Sequence, residues 1–115
     1  MESCYKISHS ESILSSDIKL FGFLKELLLK DYKIYEMTQV GGDLIPYHAH
    51  SHEEILIIIE GGMRVIVEED IINLKEGDMI TIKSWAVHLS CFPFVEETKF
   101  YLCHPMKKKP ESKSI

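Results

Sequence analysis

Short runs of apolar and β-branched residues, separated by turn-forming residues, occupy most of the chain from Tyr32 onward. In several runs apolar and polar positions alternate, which is the period of a strand. About eight strands are predicted, one from residue 32 and the others at residues 44–50, 55–59, 63–67, 71–74, 79–82, 87–92 and 99–103. Strands this short, with turns between them, predict an all-β sandwich or barrel.

The N-terminal part of the chain has a different pattern. Residues 1–16 are polar and rich in serine, which predicts a loose arm. From Asp17 to Lys30 the apolar residues recur at spacings of three and four, which predicts a short amphipathic helix. Gly22 weakens the helix propensity by about 1 kcal/mol, and a strand over Leu27–Leu29 is the alternative.

Length and composition predict one ordinary globular domain. The chain has 115 residues, of which 45% are hydrophobic and 27% are charged. We expect an N-terminal arm over residues 1–16, a single domain over 17–105 with its barrel core at 32–105, and a polar tail over 106–115. The net charge of -5 disfavours nucleic-acid binding, and the basic run Lys107–Lys109 is expected to be part of a solvated tail.

The cysteines and apolar runs indicate a cytoplasmic protein without a membrane partner. Cys4, Cys91 and Cys103 form no CxxC pair, and a reduced compartment is the simplest interpretation. The first residues lack the apolar core of a secretory signal, and the longest apolar run is too short to span a bilayer. Cys91 and Cys103 are expected to be small buried side chains, with a catalytic thiol as the weaker alternative.

A histidine-rich segment at residues 48–54 reads His-Ala-His-Ser-His-Glu-Glu, directly before the apolar run at 55–59. Imidazole and carboxylate groups are ligands for first-row transition metals. On one continuous strand, residues 48 and 54 would lie roughly 20 Å apart, which is too far for one ion to bridge. A shared ion requires a turn near residues 51–53, with His48 and His50 on one strand and Glu54 at the start of the next.

The spacing of this segment resembles the first motif of the cupin superfamily. That motif is glycine, five residues, His-x-His, three or four residues, glutamate, six residues, glycine. Here Gly42, His48-Ala49-His50, Glu54 and Gly61 match every fixed position.

The second cupin motif is matched only in part. It is glycine, five residues, Pro-x-Gly, two residues, histidine, three residues, asparagine. Gly77 and His88 match, whereas Lys83, Trp85 and Phe92 stand where the family has proline, glycine and asparagine. The two motifs span residues 42–92, and the flanking strands extend the resemblance to roughly 32–105.

The resemblance implies a small single-domain cupin of the bacterial type. Its fold would be a double-stranded β-helix, or jelly-roll barrel, with a short N-terminal helix or arm. One divalent transition metal would lie inside the barrel, held by His48, His50, Glu54 and His88. This ligand set suits iron, manganese, nickel, cobalt or zinc and does not choose among them.

Two kinds of function follow from the resemblance. The first is a metal-dependent enzyme, an oxygenase or isomerase acting on a small molecule. Tyr47, Lys83 and Tyr101 are then the candidate catalytic residues beyond the ligands. The second is a non-catalytic sensor or binding module, similar to the sugar-sensing domain of arabinose-type regulators but without a DNA-binding domain.

The remaining expectations concern the surroundings of the metal site. His52 and Glu53 are expected in the turn, with His52 as a minority alternative ligand. Lys83 and Trp85 are expected either at the barrel mouth or on the solvent side or a dimer contact, and Phe92 is expected to pack. A homodimer is expected. The N-terminal helix or the second subunit would cover the outer face of the strand at residues 55–59.

Overall fold

The computed structural model describes residues 3–9, 17–93 and 96–106. Its elements are β1 (Tyr5–His9), α1 (Asp17–Leu29), β2 (Tyr32–Gln39), β3 (Leu44–His48), β4 (Glu54–Glu60), β5 (Gly62–Val67), β6 (Asp70–Lys75), β7 (Asp78–Ile82), β8 (His88–Cys91) and β9 (Thr98–Pro105). Within these described ranges, no helix has the length and apolar character that crossing a membrane requires. The predicted tail beyond Met106 lies outside the described residues.

The strands form two antiparallel sheets. One sheet has the order β1-β7-β4-β9-β2, and the other has the order β3-β8-β5-β6. Apolar side chains from both sheets make one buried cluster between them, which includes Leu56, Ile58, Met63, Val65, Val67, Ile72, Leu74, Ile80, Ile82, Phe92 and Phe100. The all-β prediction is confirmed, because alternating strands bury one face of each sheet against the other.

Strand β4 is apolar on both faces, and each face has its own partner. Leu56 and Ile58 belong to the cluster between the sheets. Ile55 and Ile57 face the other way and pack with Leu27 of α1 in a second cluster. The predicted helix is therefore confirmed as the cover of this face, and the alternative strand over residues 27–29 is wrong. The homodimer stays a prediction.

The loose arm predicted for residues 1–16 is wrong for residues 5–9. These residues form β1, which pairs with β7 so that Tyr5 lies opposite Ile82 and Ile7 opposite Ile80. Tyr5 and Ile7 alternate with polar residues and pack against the cluster between the sheets. This apolar face gives the strand its place at the edge of the sheet. Residues 1–2 and 10–16 lie outside the described part of the chain.

Candidate metal centre

The fold brings His48, His50, Glu54 and His88 together. One nitrogen or oxygen atom from each of the four side chains lies within 4.8 Å of the others. Donors on opposite sides of one ion are about 4.2 Å apart when each bond is about 2.1 Å. The four side chains are therefore spaced for a single ion after small rotations, and their chemistry fits a first-row transition metal.

The chain turns between the sheets within the histidine-rich segment, as the spacing predicts. His48 ends β3 in one sheet, and Glu54 begins β4 in the other. His50 lies in the connecting loop, so the prediction that it shares a strand with His48 is wrong. In the loop, the His50 ring lies near those of His48 and His88, with centroids 4.6 Å and 5.2 Å away.

A β-bulge in β3 points His48 into the barrel. Ile45 pairs with Ser90 and His48 pairs with His88, and the register shifts between these two pairs. In a regular strand, residues three apart point to opposite faces, but Ile45 and His48 both line the same internal cavity. The extra residue of the bulge makes this possible, and Pro46 lies within it.

Backbone carbonyls orient two of the imidazoles. The Nδ1 atom of His48 lies 2.7 Å from the carbonyl oxygen of Pro46, and that of His88 lies 2.9 Å from the carbonyl oxygen of Ala86. Because a carbonyl oxygen only accepts, both Nδ1 atoms carry the hydrogen and donate it. The Nε2 atoms are left to bind a metal, which is how metal-binding histidines are commonly held.

Glu54 and His88 form a buried pair, with 3.1 Å between Oε1 of Glu54 and Nε2 of His88. Burial raises the pKa of Glu54, but the hydrogen bond from His88 and the charges of the nearby imidazoles outweigh it and lower that pKa below 4.5. Burial lowers the pKa of His88, but its hydrogen bonds with Glu54 and Ala86 and the attraction of Glu54 raise it above 6.5. In the metal-free protein the pair therefore favours a carboxylate on Glu54 and a protonated imidazole on His88.

The third imidazole is held in its neutral form. Burial lowers the pKa of His50, Glu54 raises it, and the other histidines lower it again, so that it lies below 6.5. The rings of His48 and His50 have centroids 4.6 Å apart, and those of His48 and His88 are 4.3 Å apart. Metal binding requires neutral imidazole, so His50 is ready to coordinate at neutral pH.

We expect the Glu54–His88 pair to stabilise the metal-free protein most between pH 4.5 and pH 6.5. The lowered pKa of Glu54 gives a contribution that is present above 4.5 and is lost as the pH falls through the folded-state value. The raised pKa of His88 gives a contribution that is present below 6.5 and is lost as the pH rises through the folded-state value.

Urea unfolding in a chelator, at pH values below, inside and above this window, tests the expectation. Glu54→Gln should lower the free energy of unfolding by about 1–2 kcal/mol inside the window and by less on either side. Glu53→Gln serves as the control, because Glu53 accepts a hydrogen bond from Tyr32 instead of His88. A loss for Glu54→Gln that is the same at every pH would contradict the pairing.

His52 and Glu53 lie beside the four-residue cluster and outside it. The ring of His52 stacks on that of His50, with centroids 4.9 Å apart and planes 6° apart, and on that of His104 at 4.6 Å and 25°. The carboxylate of Glu53 accepts a hydrogen bond of 2.8 Å from Tyr32, whose pKa is raised to about 12 by burial and by that bond. Both residues lie in the loop between β3 and β4, as predicted.

The turn before His88 keeps its shape without the family's glycine. Trp85 stands at that position and adopts a left-handed backbone with φ of 65°. Its N–H donates a 2.7 Å hydrogen bond to the carbonyl oxygen of His50, which ties the turn to the loop of the cluster. The side chain of Trp85 is 67% exposed. Of the two alternatives, the exposure of Trp85 and Lys83 favours the solvent side.

An internal cavity of about 160 Å³ adjoins the cluster. Its lining consists of Ile45, His48, His50, Glu54, Leu56, Met63, His88, Ser90, Phe100 and Leu102. The structure does not bring the candidate catalytic residues into this lining. Tyr47 and Lys83 are exposed, and Tyr101 packs in the second cluster beneath α1.

Phe92 and Cys103 are both packing residues. Phe92 is buried and stacks on Phe100, with ring centroids 5.9 Å apart. Cys103 is fully buried, and burial raises the pKa of its thiol to about 12. A thiol with that pKa forms little thiolate at neutral pH, which agrees with the expectation of a small buried side chain.

Ser90 is a residue of the cavity wall that was not predicted from the sequence. It is buried and lines the cavity two residues after His88. The alternation of a strand could have indicated it, because residues two apart on β8 point to the same face. A polar residue at that spacing from a predicted ligand was therefore a candidate for the cavity wall.

Comparison with known proteins identifies similar domains. A family model described as a cupin domain matches residues 35–101, which is more than half of the chain. No curated protein matches the sequence. The family match agrees with the resemblance expected from the two motifs and supports the jelly-roll barrel.

Solved structures share the fold at low identity. A cupin-2 domain protein from Shewanella frigidimarina is 25% identical with a TM-score of 0.59, over 66% of this chain and 72% of that one. An RmlC-like cupin family protein with a double-stranded β-helix fold, from Methanocaldococcus jannaschii, is 22% identical with a TM-score of 0.61, over 66% and 71%. Salicylate 1,2-dioxygenase from Pseudoaminobacter salicylatoxidans is 13% identical with a TM-score of 0.60, over 65% of this chain but only 21% of that one.

Proposed function

The chain belongs to the cupin domain family, and we propose that it holds one divalent transition metal between His48, His50, Glu54 and His88. The observation that carries the proposal is the convergence of these four donors within 4.8 Å. Three imidazoles and one carboxylate suit iron, manganese, nickel, cobalt or zinc. The hydrogen bonds from Nδ1 of His48 and His88 support the proposal, because they leave each Nε2 to act as a ligand.

The cavity limits what reaches the metal. Its volume is about 160 Å³. Pockets for drug-sized ligands are usually about 300–1,000 Å³. The ligand is therefore a small molecule, and most of the wall that it meets is apolar: Ile45, Leu56, Met63, Phe100 and Leu102.

We assign the chemistry to a metal-dependent enzyme of the oxygenase type. A bound metal of this kind supplies Lewis acidity and, when it is iron, activation of oxygen. The protein's own part is to orient the ligand, exclude water with the apolar wall and keep the His50 imidazole neutral. Apart from the four proposed ligands, no acidic or basic side chain among the described residues lines the cavity. This favours oxygenation over an isomerisation that needs a separate general base.

The same wall also favours a second candidate, a non-catalytic sensor of a small molecule. A binding module needs shape and a few polar contacts, and it needs no group that transfers protons. This sensor is the second kind of function that the sequence resemblance implies. The two functions differ in whether the bound molecule is changed.

Oxygen uptake by iron-loaded protein separates the two functions. The assay uses a panel of short-chain keto acids, hydroxy acids and dicarbonyl compounds, with products followed by mass spectrometry. The enzyme is expected to consume oxygen with one of them, and His50→Ala should abolish the reaction. A compound that raises the melting temperature of the loaded protein but is recovered unchanged, without oxygen uptake, would favour the sensor and contradict the enzyme.

A further inference from the structure

Ser90 is a buried polar residue beside the proposed metal site. It lies on β8, two residues after His88, and both side chains point into the barrel. The side chain of Ser90 is 4% exposed and lines the same cavity as His88. The Cα atoms of residues two apart on a strand are roughly 7 Å apart, so the two side chains are neighbours on one wall of the cavity.

The hydroxyl of Ser90 has no side-chain hydrogen bond to any residue that the structure describes. Its neighbours across the sheet are Ile45 on β3 and Val65 on β5, and neither offers a polar side chain. No enclosed side-chain oxygen or nitrogen in the described part of the chain lacks a partner, so the Ser90 oxygen must open onto the cavity. A hydroxyl that faces a cavity and has no protein partner is available to hydrogen-bond a bound ligand.

We propose that Ser90 orients the ligand of the cavity through a hydrogen bond from its hydroxyl. The inference rests on the proposed metal site. One oxygen-bearing group of the ligand lies at His48, His50, Glu54 and His88, and a second polar group meets Ser90. The substrate class is then a short bifunctional oxygen compound, such as a hydroxy acid or a keto acid.

The rest of the cavity wall supports this assignment. The lining residues other than Ser90 and the four proposed ligands are apolar, namely Ile45, Leu56, Met63, Phe100 and Leu102. Ser90 is therefore the one side chain of the described lining, beyond the proposed ligands, that can make a hydrogen bond. A site with one such group discriminates against an analogue that lacks the matching polar atom.

The test compares β-hydroxypropionate with propionate as ligands of cobalt-loaded protein, using the visible absorption of Co(II). The wild type is expected to bind the hydroxylated acid about tenfold more tightly, as one hydrogen bond predicts. Ser90→Ala should remove most of this preference. Ser84→Ala should keep it, because Ser84 lies in the exposed turn before His88. A preference due to the metal alone would survive in Ser90→Ala and would overturn the role of Ser90.

A second measurement needs no metal. Ser90→Ala in metal-free protein should melt at about the same temperature as the wild type, because the hydroxyl faces the cavity and no described protein group bonds to it. A melting temperature several degrees lower would show that the hydroxyl has a structural partner, and would overturn the inference. Failure of wild-type protein to bind Co(II) would overturn the metal proposal and this one together. Binding of Co(II) without the preference overturns only the role of Ser90.

Discussion

His50→Ala is expected to lower metal affinity by at least about 100-fold, whereas His52→Ala is expected to retain the metal. The donor nitrogen of His50 lies within the 4.8 Å cluster of four donors, and its lowered pKa keeps the ring neutral. His52 only stacks against the outer face of the His50 ring. Its loss removes a support for that ring, so we expect a decrease of no more than about tenfold.

Equilibrium dialysis against Mn(II) or Fe(II), with protein that carries no histidine tag, measures both variants. Circular dichroism and the melting temperature of the metal-free proteins serve as the control for folding. The pair is well matched, because both variants remove one imidazole from the same loop. Equal loss of metal in His52→Ala and His50→Ala would show that the four ligands are assigned wrongly.

Gly61→Ala is expected to destabilise the fold by about 2–4 kcal/mol. Gly61 has φ of +86°, and an added Cβ would lie 2.6 Å from the carbonyl oxygen of Glu97 and 3.0 Å from Cα of Thr98. Both neighbours are backbone atoms, so the chain between β8 and β9 would have to move. The left-handed backbone adds a further cost for alanine.

Gly22→Ala is the matched control for this prediction. Gly22 lies in α1, and an added Cβ would meet nothing within 4 Å. The same substitution there should stabilise the fold by about 0.5–1 kcal/mol, because alanine favours the helix. Urea unfolding of both variants at one pH gives the two values. A loss below about 0.5 kcal/mol for Gly61→Ala would contradict the close approach of the backbone.

The sequence predicts most strands because burial in this fold follows a period of two. In β5, Met63, Val65 and Val67 are buried, whereas Arg64 is exposed. Strand β1 was missed, since five residues that include only two apolar side chains, Tyr5 and Ile7, give a weak signal. Its place depends on the distant partner β7, and pairing of that kind cannot be read from the local pattern.

The turn within the histidine-rich segment is predictable from distance alone, because residues 48 and 54 on one strand would be too far apart for a shared ion. The position of His50 in a loop is not predictable in this way. The bulge in β3 shifts the alternation by one residue, and it decides that His48 points inward while Tyr47 is exposed. Bulges leave little trace in a hydrophobic pattern, so the exposure of Tyr47 could not be predicted from the sequence. Lys83 is exposed and Tyr101 packs in the second cluster, and both placements depend on tertiary contacts.

The left-handed backbone of Trp85 could not be predicted from the family motif. Trp85 stands where the family motif has glycine, and it adopts the backbone conformation that glycine favours, with φ of 65°. The hydrogen bond from Trp85 to the His50 carbonyl and the burial of Ala86 and His88 hold the turn in place. These tertiary contacts stabilise the strained backbone of Trp85, and a sequence motif does not show them.

The metal content of purified protein tests the central proposal most directly. The protein is prepared without a histidine tag or chelating resin, reconstituted with Fe(II) or Mn(II), freed of unbound ions and analysed by mass spectrometry of its metals. We predict about one equivalent of transition metal per chain, held by the three imidazoles and one carboxylate. Less than about a tenth of an equivalent after reconstitution would contradict the proposed metal centre and every function that depends on it.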